Sequence, residues 1–137
     1  MHATDLSPAA WLAAEEAVAL AQQTGARLVA LYVVKTHEAS QLGVLAQAAS
    51  EAMREQGQDA VGRVVELARQ HGVQAQRMLV EGHPGQAIVG TASSLHADLS
   101  VVGSHGASGL ERMLLGSVSE FVVRHADGPV LVVRARH

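Results

Sequence analysis

The chain has 137 residues, 48 % of them hydrophobic and 17 % charged, with a net charge of -3. That length suits one hydrophobic core, and the composition excludes a disordered chain. Trp11, Tyr32 and Phe121 are the only aromatics and Lys35 the only lysine, so a stacking platform for single strands and a basic footprint for duplex nucleic acid are both excluded. There is no cysteine, which removes disulfides, thiolate metal sites and thiol nucleophiles.

The opening Met-His-Ala-Thr-Asp lacks the basic start and apolar run of a signal peptide, and no apolar stretch approaches the ~20 residues of a membrane-spanning helix. The expectation is a soluble, cytoplasmic protein of one domain, residues 1–137, with neither membrane nor nucleic acid as partner. Ser7-Pro8 marks the start of a first helix, with Ser as cap and Pro at the first helical position. Ala10, Ala14, Ala17, Val18 and Ala21 then share a face, and Gly25 closes the segment. Leu28–Val34 is a continuous apolar run, as befits an interior strand of a parallel sheet covered on both faces. A second helix is expected from about Ser40 to His71, carrying Leu45, Ala49, Met53, Ala60, Val64 and Ala68 at helical spacing, with Gly57 and Gly62 weakening its middle.

A more polar strand follows at 73–80. Pro84 opens a third helix with Ile88, Ala92 and Leu95 as its apolar stripe. Leu99–Val102 is another buried strand. Ser117-Val-Ser-Glu120 has the form of a capping box opening a short fourth helix with Val118, Phe121 and Val122. Asp127-Gly-Pro129 turns into a last strand, Val130–Val133. If the first residues count as a strand, the order is β-α-β-α-β-α-β-α-β, an open doubly wound α/β sheet with helices on both faces.

Chemistry concentrates where the strand ending at Gly103 runs into a glycine-rich loop. Open α/β sheets take ligands at that edge. Gly103 and Gly106 let backbone N–H groups approach a phosphate, and Gly116-Ser117 begins a helix whose free N–H groups favour an anion. The alternative is that these glycines only shape turns and Ser117 is only a cap. There is no G-x-x-x-x-G-K-[ST], so this is not a P-loop NTPase. Eight histidines, at 2, 37, 71, 83, 96, 105, 125 and 137, show no metal-ligand spacing and read as scattered surface residues. Ser7 and Ser108 lack a partner that would make either a nucleophile. Leu110, Met113, Leu114 and Leu115 read as the packing face of a short helix, with a lid or a partner surface as the rival readings.

Gly103-x2-Gly106-x9-Gly116-Ser117 resembles the nucleotide-binding signature G-x2-G-x9-G-[ST] of the universal stress protein family. The flanks Ala97–Gly106, Leu114–Glu120 and Pro129–Val133, with Thr4-Asp5-Leu6-Ser7 and Leu31–Val34, resemble it too, so the likeness covers essentially the whole chain. It implies a five-stranded parallel sheet in the order 3-2-1-4-5, with strands one and four adjacent. It also implies an adenine nucleotide, ATP, as regulatory ligand, with Mg2+ or Mn2+ bridging the phosphates. Carried over residue by residue, Asp5 would bond the nucleoside, bordered by Ala3 and Thr4. Val33 would meet the adenine edge through its backbone, and Val102 would line the same pocket. Gly103, Ser104, His105, Gly106, Gly116 and Ser117 would surround ribose and phosphates, with Val118 and Ser119 at the helix start.

The resemblance further implies a homodimer that pairs Val130–Val133 edges, since an open apolar edge invites pairing. No catalytic residue is expected: nothing in the motif positions a water or neutralises a leaving phosphate, and Arg112 is the lone candidate. The alternatives are a nucleotide-free dimeric interaction module and a slow ATP hydrolase. Two features depart from the family. Only Met1–Thr4 precede Asp5, so the central strand is shortened unless the start lies upstream, and Leu6 stands where many members have glycine.

Overall fold

The structure, a computed structural model, describes residues 1–105 and 115–134. Gly106, Ser108, Arg112, Leu110, Met113 and Leu114 lie outside the described residues, and with them the readings of that segment as a packing face, a lid or a partner surface. Five parallel strands, β1 (His2–Ala3), β2 (Leu28–Val34), β3 (Ala75–Glu81), β4 (Ser100–Gly103) and β5 (Val130–Val133), form one sheet in the order β3-β2-β1-β4-β5. The helices are α1 (Pro8–Thr24), α2 (Thr36–Ser40), α3 (Ala46–Gln70), α4 (Pro84–Ser94) and α5 (Ser117–His125). Helices α1 and α3 cover one face, burying Ala13, Ala14, Ala17, Val18, Val61 and Val64 against Leu28, Ala30 and Val101. Ile88 of α4 and Val122 of α5 cover the other, against Leu31, Val33 and Val102. Among the described residues, no helix is long and apolar enough to cross a membrane.

Helix α1 forms as its sequence reads. Ser7 has extended backbone, its hydroxyl accepts from the Ala10 N–H (3.1 Å), Pro8 occupies the first turn, and Gly25 closes the helix in left-handed geometry (φ 74°). Six of its seven buried residues are alanine, so the helix lies close on the sheet. Gly103 makes that approach possible: a Cβ there would stand 2.7 Å from the Ala9 carbonyl carbon and 2.8 Å from the Ala10 nitrogen. Strand β1 is two residues long, though the Thr4 N–H extends its ladder to the Leu31 carbonyl (2.9 Å).

Several expectations are corrected. The second helix, expected from about Ser40, begins only at Ala46 as α3; a short helix α2 ends at Ser40, a 3-10 turn spans Gly43–Leu45, and Leu45 is exposed instead of facing the core. Helix α3 runs unbroken through Gly57, which is buried, and a Cβ there would lie 2.5 Å from Cδ1 of Tyr32. A glycine lets this helix press onto an aromatic ring of β2. Leu95 at the end of the α4 stripe is also exposed. The capping box is displaced by one residue: the extended residue is Gly116, Ser117 is already helical and exposed, and Glu120 pairs with Arg124 (2.8 Å) instead of reaching back. A capping box needs its Ser outside the helix, and here the preceding glycine holds that position. Finally, His2 is no surface residue. It is wholly buried in the central strand, beside Ala30 and Val101.

Candidate functional site

The sheet order reverses between β1 and β4, and at their C-terminal ends lies a cavity of about 410 Å³. Two roomier depressions exist, one along α3 beside Trp11 and Arg77 and one at the opposite sheet edge beside Met1 and Leu99. Of the three, the C-terminal crevice lies at the topological switch point, and it sets an apolar floor beside polar groups, the usual make-up of a ligand site. Its floor is Ala3, Val33, Ile88 and Val102; around it stand Thr4, Asp5, Gly103, His105, Val118 and Ser119.

Asp5 stands two residues past the end of β1. One carboxylate oxygen accepts from the Ser7 N–H (3.0 Å), a short turn that holds the carboxylate at the cavity while helping to start α1. Ser7 joins this turn to the glycine loop: besides capping α1, its hydroxyl donates to the His105 carbonyl (3.3 Å). The residue between them, Leu6, has φ 70°, a left-handed conformation costing a side-chain-bearing residue about 1–2 kcal/mol.

Ser104 is placed differently. It is buried and does not line the cavity; its carbonyl accepts from the Gly116 N–H (2.6 Å) and the Ser119 hydroxyl (2.7 Å), and its N–H donates to Val133 (2.8 Å). Its hydroxyl lies 3.1 Å from His105 Nδ1. Ser104 therefore staples the start of α5 to the end of β4. Gly116 and Ser117 also lie off the cavity lining, although the first intrahelical bond, Glu120 N–H to Gly116 (2.9 Å), leaves the preceding first-turn N–H groups at a positive helix end. Gly106 falls outside the described residues.

The structure also brings in residues that the motif does not contain. Tyr32 comes from β2, Lys35 from the residue just after it, Glu38 from α2, Met53 and Gln56 from α3, and Pro84 from the start of α4. Lys35 and Pro84 were detectable, because both follow strands at the ligand-bearing edge. Met53 and Gln56 carry no local signal. The Lys35 ammonium sits 3.9 Å from Glu38, both about half exposed, a pair of small energetic weight. Burial first, and then the carboxylates of Asp5 and Glu38, push the Tyr32 phenol above its ordinary pKa, so its O–H stays a donor. No cluster of three metal-ligating side chains occurs among the described residues.

This is an open, doubly wound α/β protein with its crevice at the topological switch point. The chain belongs to the Universal stress protein family, whose sequence model matches residues 1–134. Universal stress protein MJ0531 of Methanocaldococcus jannaschii is 39 % identical over 135 residues, which cover 96 % of this chain and 78 % of that one. The solved structure of MJ0577, from the same organism, has a TM-score of 0.88 at 26 % identity, covering 98 % of this chain and 94 % of that one. A universal stress protein in complex with cAMP has a TM-score of 0.68 at 27 % identity, covering 96 % and 92 %.

Proposed function

We propose that this protein binds an adenine nucleotide, ATP, as a regulatory ligand of a stress response, and that it does so as a cytoplasmic homodimer. The observation that carries the reading is the crevice itself: an apolar floor, the Asp5 carboxylate beside it, and Val118 and Ser119 from the first turn of α5 in its wall. The adenine would lie on Val33, Ile88 and Val102, with the backbone of Val33 at its edge. Asp5 would accept from the ribose hydroxyls. The phosphates would lie along the Gly103–Gly106 loop toward Gly116 and Ser117, where first-turn N–H groups and the helix dipole favour negative charge. The complex of a related family member with cAMP supports an adenine nucleotide as the ligand class. A divalent ion, Mg2+ or Mn2+, would ride on the phosphate oxygens, as such ions commonly do without a dedicated protein cage.

Strand β5 is at the sheet edge. The carbonyls of Pro129 and Val133 accept from β4, so the alternating backbone groups of Val130 and Val132 face away from the sheet. That unpaired edge is the surface proposed for the second copy.

A nucleotide-free dimeric module is the second reading, favoured by one observation: Gly103 accommodates α1 and the Gly116 N–H already serves Ser104. Titration calorimetry with ATP and Mg2+ separates the two. Binding that Gly116→Val abolishes and Ser117→Ala weakens by about 1–2 kcal/mol supports the ligand; no heat at high micromolar ATP leaves the plain module. Phosphate release faster than about one per second would instead make the protein an ATP hydrolase.

A further inference from the structure

We propose that Leu6 is a ligand-contacting residue of the crevice, an apolar lip that closes on the nucleoside part of the nucleotide and not on its phosphates. The inference rests on the nucleotide reading above. Leu6 lines the cavity, is 47 % exposed, and belongs to neither core layer among the described residues. It holds φ 70° all the same, a region that leucine rarely enters. The other non-glycine residue with positive φ among the described residues is His96, of a residue type that tolerates the left-handed region better.

The neighbours of Leu6 hold it in this geometry. The Ser7 N–H donates to Asp5 and the Ser7 hydroxyl to the His105 carbonyl, so the turn is tied to both ends of the crevice. Its side chain thus combines an unfavourable backbone with apolar surface left half in water, and no core packing among the described residues offsets either. Both penalties sit next to Asp5, the proposed partner of the sugar. Strain of this kind persists where it serves a site. An isobutyl group has nothing to offer a phosphate, whereas the faces of a base and a sugar would cover it.

The test uses two substitutions that separate backbone strain from side-chain contact. Leu6→Ala keeps a Cβ, and with it the strain, but removes the lip; Leu6→Gly removes both. Calorimetry with adenosine and with ATP is expected to show both ligands weakened by the same factor, about three- to tenfold, in both variants. The melting temperature should rise for Leu6→Gly and hold for Leu6→Ala, so that stability and affinity move in opposite directions in the glycine variant. Leu6→Met should recover most of the affinity. Affinities within about twofold of wild type for both variants overturn the inference, as does a loss confined to ATP, which would place the contact at the phosphates. Wild-type protein that binds neither ligand overturns the nucleotide reading itself, and this inference falls with it.

Discussion

His2 makes the stability of this fold sensitive to acid. Its Nδ1–H donates to the Val101 carbonyl (3.0 Å), while Nε2 is buried with no hydrogen-bond partner among the described residues. Burial, the largest influence, lowers its pKa from 6.5 to about 4; the Val101 carbonyl and Asp5 act against the shift, and the N-terminal ammonium adds to it. The folded state thus holds His2 neutral over a range in which the unfolded chain binds a proton. Stability from this group is complete above pH 6.5 and is lost as pH falls toward the folded value of about 4. Linkage puts the loss at about 2 kcal/mol by pH 5 and about 3 kcal/mol by pH 4. Leucine is close in volume and carries no proton, so His2→Leu should lose about 3 kcal/mol less than wild type between pH 7 and pH 4. Urea unfolding followed by circular dichroism at pH 7, 5.5 and 4 measures the difference. Equal losses in the two proteins would refute the reasoning and assign the acid sensitivity to other groups.

Gly103→Ala should destabilise by about 2–3 kcal/mol, because its Cβ would meet α1 backbone at 2.7–2.9 Å and backbone cannot rotate aside; thermal unfolding checks this, and an unchanged melting temperature would show that α1 can withdraw at no cost. Gly57→Ala sets a helix-propensity gain of about 1 kcal/mol against a 2.5 Å contact with the Tyr32 ring. The contact should win, for a net loss of about 1–2 kcal/mol in urea unfolding. Val132→Pro removes an N–H that faces away from β4, so it should halve the mass seen in light scattering while far-UV circular dichroism stays unchanged; a monomeric wild type at micromolar concentration would count against the dimer.

What the sequence determined alone was local. The Ser7-Pro8 start, the Gly25 stop and the apolar runs of β2 and β5 are each decided within a few residues by caps, left-handed glycine and continuous burial. The family resemblance also picked out the β1 and β4 ends of the crevice, where Asp5 stands two residues past β1 and Gly103 is the last residue of β4. Matters of long range needed the tertiary structure. Ser104, inside the motif, turns inward because its carbonyl must serve both Gly116 and Ser119. Gly57 reads locally as a weak helix residue, yet it is the one that fits against Tyr32, twenty-five positions earlier in the chain. Met53 and Gln56 reach the crevice only because α3 crosses β2 at that contact. His2 is buried because its neighbours are strands β2 and β4, brought in from about 30 and 100 residues away. Pattern depends on nearest neighbours along the chain, while burial and close contact depend on neighbours in space, which the crossover connections of a parallel sheet draw from far along the chain.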